Sequence, residues 1–258
     1  MKRSKTLRET VLFCLGIALA VLLIQAAGSL KGDRLVFPDA GEIGRTFLRL
    51  LGEGRTWTLI GTTMLHWSVS LAAAFAAGIL AGLAEGLIPG AHSLLKPLMM
   101  MLRSLPMIVL VIMIMVLAKY RYVPLIASAM AVFPLISEGV YEGIVHIEPE
   151  LIDVYRINSS FTPRVLFRVY LPLISGYMKA AFINAAGMGL KVTVTSEYLV
   201  QTRESLGKAV FTSSYFNEYA EIYAYALIMV LLIVLVTGIP EIMAKTWRKL
   251  KPYSASQS

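Results

Sequence analysis

Long apolar runs separated by short polar stretches set the plan of the chain. Six runs are long enough to cross a membrane: about Thr10–Leu30, Trp57–Ile88, Leu94–Ala118, Val123–Ile147, Pro172–Val194 and Tyr219–Ala244. A helix needs about 20 apolar residues to cross roughly 30 Å of hydrocarbon. The second run is long enough to tilt or to extend beyond the bilayer. Pro106 falls inside the third run and Pro134 inside the fourth. Proline is tolerated in a spanning helix where neighbours satisfy the freed carbonyls, so the pattern predicts two kinked helices inside a bundle. The fold expected is an all-α membrane protein with six transmembrane helices.

The polar stretches between the runs differ in kind. Residues 33–54 place Phe47, Leu48, Leu50 and Leu51 among charges, the pattern of an amphipathic helix lying along a surface. Residues 196–221 carry Tyr198, Tyr215, Phe216 and Tyr219, with Tyr223 just beyond. Aromatic residues at that level usually anchor a chain at the membrane boundary. Residues 148–172, EPELIDVYRINSSFTPRVLFRVYLP, are polar, Arg-dotted and punctuated by prolines.

Composition agrees with lipid as the solvent. Hydrophobic residues make up 57% and charged residues 16%, more apolar and less charged than a soluble domain of this length needs. The net charge of +8 fits basic flanks beside membrane helices. No basic patch interleaved with aromatics is present, so nucleic acid is excluded as a partner. The one cysteine, Cys14, allows no internal disulfide and reads as a small apolar packing residue. The basic start and long first run read as a retained helix, with cleavage after Ala27 as the alternative.

Six crossings put both termini on one side. Lys2, Arg3, Lys5 and Arg8 precede the first run, and Lys245, Arg248, Lys249 and Lys251 follow the last. Both ends therefore read as cytoplasmic. The implied organisation is a tail over 1–9, a membrane domain over 10–244 and a tail over 245–258. Within the domain, 31–56 and 195–218 are external and 148–172 is cytoplasmic.

The cytoplasmic stretch is more than a connector. Glu148-Pro149-Glu150 has the chemistry of a helix start, with proline preorganised and acids favouring the positive end of the dipole. Leu151, Ile152 and Tyr155 give a short helix one apolar side. Asn158-Ser159-Ser160 stops it, because asparagine readily takes the left-handed conformation. Thr162-Pro163 then starts a second helix, Arg164–Leu171, that runs into the fifth membrane segment. A plain connector needs only a few residues. A rigid helix, turn and helix points to docking of another protein, with an amphipathic linker on lipid as the alternative.

This stretch resembles the Glu-Ala-Ala loop of permease subunits of binding-protein-dependent ABC importers. Asp153-Val154-Tyr155 stands at the Glu-Ala-Ala positions, Ser159 at the family's glycine and Leu171-Pro172 at its end. Tyr155 replaces a small residue and Ser159 replaces glycine, with Asn158 placed to make the turn. Further similar segments are Leu35-Val36-Phe37-Pro38, Gly78 and Gly82, Arg103-Ser104-Leu105-Pro106, Phe133-Pro134, Glu197 and Ser205-Leu206-Gly207. Together they are most similar to the nitrate, sulfonate, taurine and thiamine-precursor type.

The resemblance implies a type I importer bundle in a bacterial inner membrane, with lipid around it. It implies two ATPase subunits, a second permease copy, and a periplasmic or lipid-anchored solute-binding protein. The ATPase-coupling residues would be Glu150, Asp153, Tyr155, Arg156, Asn158, Ser159 and Ser160. ATP and Mg would be held by the partner, since this chain has no GxxxxGK[ST] and no cofactor site of its own. A standalone secondary transporter or channel is the alternative. An intramembrane enzyme would need convergent catalytic side chains, and the sequence offers none.

Charges inside the runs are the remaining candidates, because each costs about 2.5–3.5 kcal/mol at the bilayer centre. Glu138 and Glu142 lie one turn apart on the fourth run, and Lys179 lies at matching depth on the fifth. Glu138 and Lys179 are expected either to pair or to face the solute path together. Arg103 is expected to snorkel to the surface. His66 reads as an interhelical hydrogen-bonding residue or a solute ligand. Met107, in the methionine-rich third run, reads as packing or as adaptable lining of a path. His66, His92 and His146 lack metal-site spacing.

Overall fold

The computed structural model describes residues 38–148 and 165–250, with side chains placed as far as Gly238. Among these residues all regular structure is helical. In chain order the α-helices are α1 (Ala40–Gly52), α2 (Gly54–Leu87), α3 (Ala91–Ser104), α4 (Met107–Leu117), α5 (Val123–Val145), α6 (Leu171–Val200), α7 (Leu206–Tyr215) and α8 (Tyr219–Leu250). In lipid the backbone must satisfy its own hydrogen bonds, which is why long apolar runs become helices. Four helices are long and apolar enough to cross a membrane, and the α3–α4 pair makes a fifth if counted as one span. The first predicted run lies outside the described residues.

The third run departs from expectation. Pro106 does not kink one helix; it separates two that meet at 104°. The residue before a proline is driven out of the helical region. Leu105 accordingly takes φ −66° and ψ 126°, and Pro106 becomes the cap of α4. Alone, the 11 residues of α4 reach about 16 Å, half a bilayer core. Pro134, by contrast, stays within α5 with its ring buried. The fifth run also grows at both ends. It opens with a π-turn over Leu166–Tyr170, where the Leu171 N–H reaches the Leu166 carbonyl, and continues helical to Val200. Pro172, in the first turn of α6, has no N–H to continue the ordinary α pattern.

The described residues form two compact units. One contains residues 38–57 and 209–230. In it α1 ends at Gly52, Glu53 is extended, and the Trp57 indole donates to the Leu51 carbonyl at 2.9 Å. Arg49 pairs with Glu221 at 2.6 Å, and the Ser213 hydroxyl donates to the same carboxylate at 2.9 Å. Tyr215 and Phe216 stand exposed, edge to face at 5.2 Å.

The other unit contains residues 58–208 and the chain from Leu231 onward. Lipid tails are as apolar as leucine, so close packing and interhelical hydrogen bonds hold helices together there. Glycines allow the closest approach. Gly78, Gly82 and Gly86 of α2 meet Ile136, Ser137, Val140 and Ile144 of α5, and a methyl at Gly82 would overlap the Ser137 carbonyl. Gly139 and Gly143 of α5 meet Ala181 and Ile174 of α6 in the same way. Leu71, Ala74, Val132, Ile136, Ala185 and Ala186 fill the centre between α2, α5 and α6. The Trp67 indole donates to the Ala186 carbonyl at 2.9 Å, and the Ser128 hydroxyl to the Gly189 carbonyl at 3.1 Å.

Candidate functional site

Three places in the larger unit put charge on spanning helices. The first lies where α2 starts and α6 ends. Thr63 and His66 are three residues apart on α2 and so share a face. Glu197, in the last turn of α6, is fully buried against them. One carboxylate oxygen accepts the Thr63 hydroxyl at 2.8 Å and the Gly207 N–H at 3.3 Å. The other lies 2.7 Å from Nδ1 of His66. The Thr63 oxygen also accepts the Leu206 N–H at 3.0 Å, and the Ser205 hydroxyl accepts the Lys208 N–H at 3.2 Å. The first N–H groups of α7, orphaned in any helix, are thus capped from α2, α6 and Ser205. A Cβ at Gly207 would lie 2.5 Å from the Tyr198 nitrogen and the Val194 carbonyl oxygen, so only glycine fits.

The second place lies toward the opposite end of α2. Glu85 is buried, accepting the Ser137 hydroxyl at 2.7 Å and lying 3.0 Å from Nδ1 of His92. The His92 ring stacks on Tyr141 with centroids 4.0 Å apart. One carboxylate therefore ties α2, α3 and α5 together beside Gly82 and Gly86.

The third place is more open. Arg103, in the last turn of α3, pairs with Glu138 of α5 at 2.6 Å, and each side chain is 44% exposed. Glu142, one turn along, is exposed. Met107 starts α4 and packs partly buried against Leu110, Val111, Ile114, Val123 and Ala127. The expected Glu138–Lys179 pairing is not what the structure contains. Lys179 matches Glu138 in depth but stands two residues from Ala181, which touches Gly139. At 100° per residue, that turns Lys179 about 200° away from α5. Arg103 takes its place. His66 is hydrogen-bonded between helices.

The predicted coupling residues Glu150, Asp153, Tyr155, Arg156, Asn158, Ser159 and Ser160 lie outside the described residues. The ends that flank them are placed. α5 stops at Val145, where the His146 ring donates from Nδ1 to the Glu142 carbonyl at 2.8 Å. Ile144 and Ile147 on the way out and Tyr170 and Leu171 on the way back share one apolar cluster with Val140 and Ile174.

Sequence reasoning passed over Glu85 and gave Glu197 no site role. Glu85 had a visible signal, being the only acidic residue between Glu53 and Glu138. Glu197 had a weaker one, the Ser-Leu-Gly turn that follows it.

Comparison with known proteins places the chain. Residues 74–249 match the family described as binding-protein-dependent transport system inner membrane component. A chain from an inward-facing crystal structure of the MetNI methionine ABC transporter superposes with a TM-score of 0.66 at 16% identity. The match covers 75% of this chain and 98% of that one. A second crystal form of MetNI gives 0.63 at 16% identity, covering 77% and 96%. No curated protein matches the chain. This multi-pass chain belongs to the binding-protein-dependent transport system inner membrane component family: it is the permease subunit of an ABC importer, and ATP is hydrolysed by a separate subunit.

Proposed function

We propose that two copies of this permease form the path for a small solute and are driven by two ATPase subunits docked on residues 148–162. The observation that carries this reading is the apolar cluster of Ile144, Ile147, Tyr170, Leu171 and Ile174. It holds the exit and return of the chain side by side, which supports a coupling role for the stretch between them. A push on such an element moves α5 and α6 together instead of bending a tether. In this reading both termini and the 148–172 stretch are cytoplasmic, and a binding protein delivers solute at the other face. ATP and Mg belong to the ATPase.

His66, Met107, Glu138, Glu142 and Lys179 are the sequence candidates for the path. Geometry favours Glu138 and Glu142, at the open Arg103 pair, while Met107 packs in the apolar cluster of Leu110, Val111 and Val123. His66, held by buried Glu197, and Lys179, turned from α5, are the weaker candidates. The solute classes of the nitrate, sulfonate, taurine and thiamine-precursor type are the starting set.

Purification of the chain from its native membrane under lipid-preserving conditions tests the reading. ATPase subunits are expected to copurify, two with each permease dimer, and Asp153→Arg is expected to release them. A wild-type chain that carries no ATPase, or that moves solute alone without ATP, overturns it.

A further inference from the structure

We propose that the Arg103–Glu138 ion pair is a solute site that takes a zwitterion, a molecule carrying one acidic and one ammonium group. This rests on the permease reading above and adds the chemistry of the cargo.

The first observation is exposure in the wrong solvent. Glu138 stands seven residues before Val145, about 10 Å from that end of α5 and inside its span. Its pair with Arg103 closes at 2.6 Å, yet 44% of each side chain stays open. Charges at membrane depth face a wet cavity or a partner, and lipid is not a stable neighbour for them.

The second observation is that the opening continues. Glu142 lies one turn on and is exposed. On α6, Asn184, Lys191 and Thr195 are exposed at spacings of seven and four, one face of a helix. α6 is also the least apolar of the four long helices. α5 and α6 run antiparallel and meet at Gly139 and Ala181. Rotation from those contacts turns Glu138 and Glu142 to the same side as Asn184 and Lys191. The two helices therefore carry acids (α5) and a cation and an amide (α6) on one side, which the exposed Leu173, Tyr177 and Met188 of α6 also share.

The chemistry of the pair selects its guest. Parting it leaves a guanidinium and a carboxylate each without its charged partner. An anionic solute satisfies Arg103 alone, and a cationic one satisfies Glu138 alone. A zwitterion satisfies both in one exchange, with its acidic group on Arg103 and its ammonium on Glu138.

The test uses the whole permease–ATPase complex in lipid vesicles, with Cys14 removed and Asn184→Cys introduced. A charged, membrane-impermeant thiol reagent is expected to label Asn184→Cys about tenfold faster than Leu80→Cys, which is on the exposed apolar side of α2. Three mixtures are then added: zwitterionic amino acids and aminosulfonates, the same acids without the amine, and the same amines without the acid. Only the first is expected to slow labelling several-fold, and Glu138→Gln is expected to abolish that protection. Labelling no faster than at Leu80→Cys overturns the proposal. So does protection by none of the mixtures, or equal protection by the acids or amines alone. Loss of the ATPase from the complex would count against the permease reading instead, and copurification measures that separately.

Discussion

Glu197 and Glu138 both sit on spanning helices, and the fold treats them differently. Glu197 is closed off completely, and Thr63, His66 and Gly207 hold its oxygens. Glu138 has one cationic partner and stays 44% open. A buried carboxylate with every oxygen used is architecture: it caps α7 and locks α2 to α6. A half-open carboxylate at membrane depth is, in the proposed reading, one that water or solute reaches. Charge inside a membrane is expensive in both cases. What separates structural charge from working charge is whether the surrounding groups have finished satisfying it. Glu85, buried between Ser137 and His92, falls on the structural side.

The largest effect should come from filling the space that the enclosed carboxylate needs. Gly207→Val drives new methyls into the Tyr198 nitrogen and the Val194 carbonyl. It should cost about 3 kcal/mol, the upper end for overpacking. Thermal unfolding of the purified complex reads this directly, and an unchanged midpoint would break the architectural reading of the Glu197 knot.

Next comes Glu85→Ala, which strands the buried Ser137 hydroxyl. A loss of about 1–3 kcal/mol is expected, with Glu85→Gln milder because the amide oxygen still accepts. Equal losses for the two variants would mean that the charge, not the acceptor, matters there.

The smallest effect belongs to Glu218. A hydrogen bond that its protonated form donates to Glu221, and that residue's negative charge, raise the Glu218 carboxyl above its ordinary value. A raised acid binds its proton more tightly when folded, so its contribution is present at low pH and is lost as pH rises through the folded value. At neutral pH the two acids repel. Glu218→Gln should therefore leave stability unchanged or slightly higher, and a measurable loss would contradict the cause given for the shift.

Much of this could be read in the sequence, for a physical reason. Lipid leaves a helix as nearly the only solution for a long apolar run, so α2, α5, α6 and α8 follow from hydrophobicity alone. Gly78 and Gly82 were visible as small-residue spacing and became the α2–α5 contact. Pro106 was visible as an interruption. That it breaks the span by 104° depends on Leu105 staying extended, which the pattern does not specify.

Charge pairing was the hardest part. Depth along a helix can be counted from the sequence, and by depth Lys179 suited Glu138. Rotation about the axis depends on which residues pack, and Ala181 against Gly139 turned Lys179 away. The Glu197 knot was hidden for a related reason. Its hydroxyl donor, Thr63, lies 134 residues away, and no local rule links them.

The most direct test compares Glu197→Gln and Glu138→Gln side by side, measuring the thermal midpoint and ATP-driven solute uptake of each reconstituted complex. Glu197→Gln should lose about 1–3 kcal/mol of stability, because one buried donor loses its acceptor. Glu138→Gln should stay within about 1 kcal/mol of wild type, as exposed pairs do, yet lose uptake. Equal destabilisation of the two complexes, or full uptake by Glu138→Gln, would contradict the division between structural and working charge.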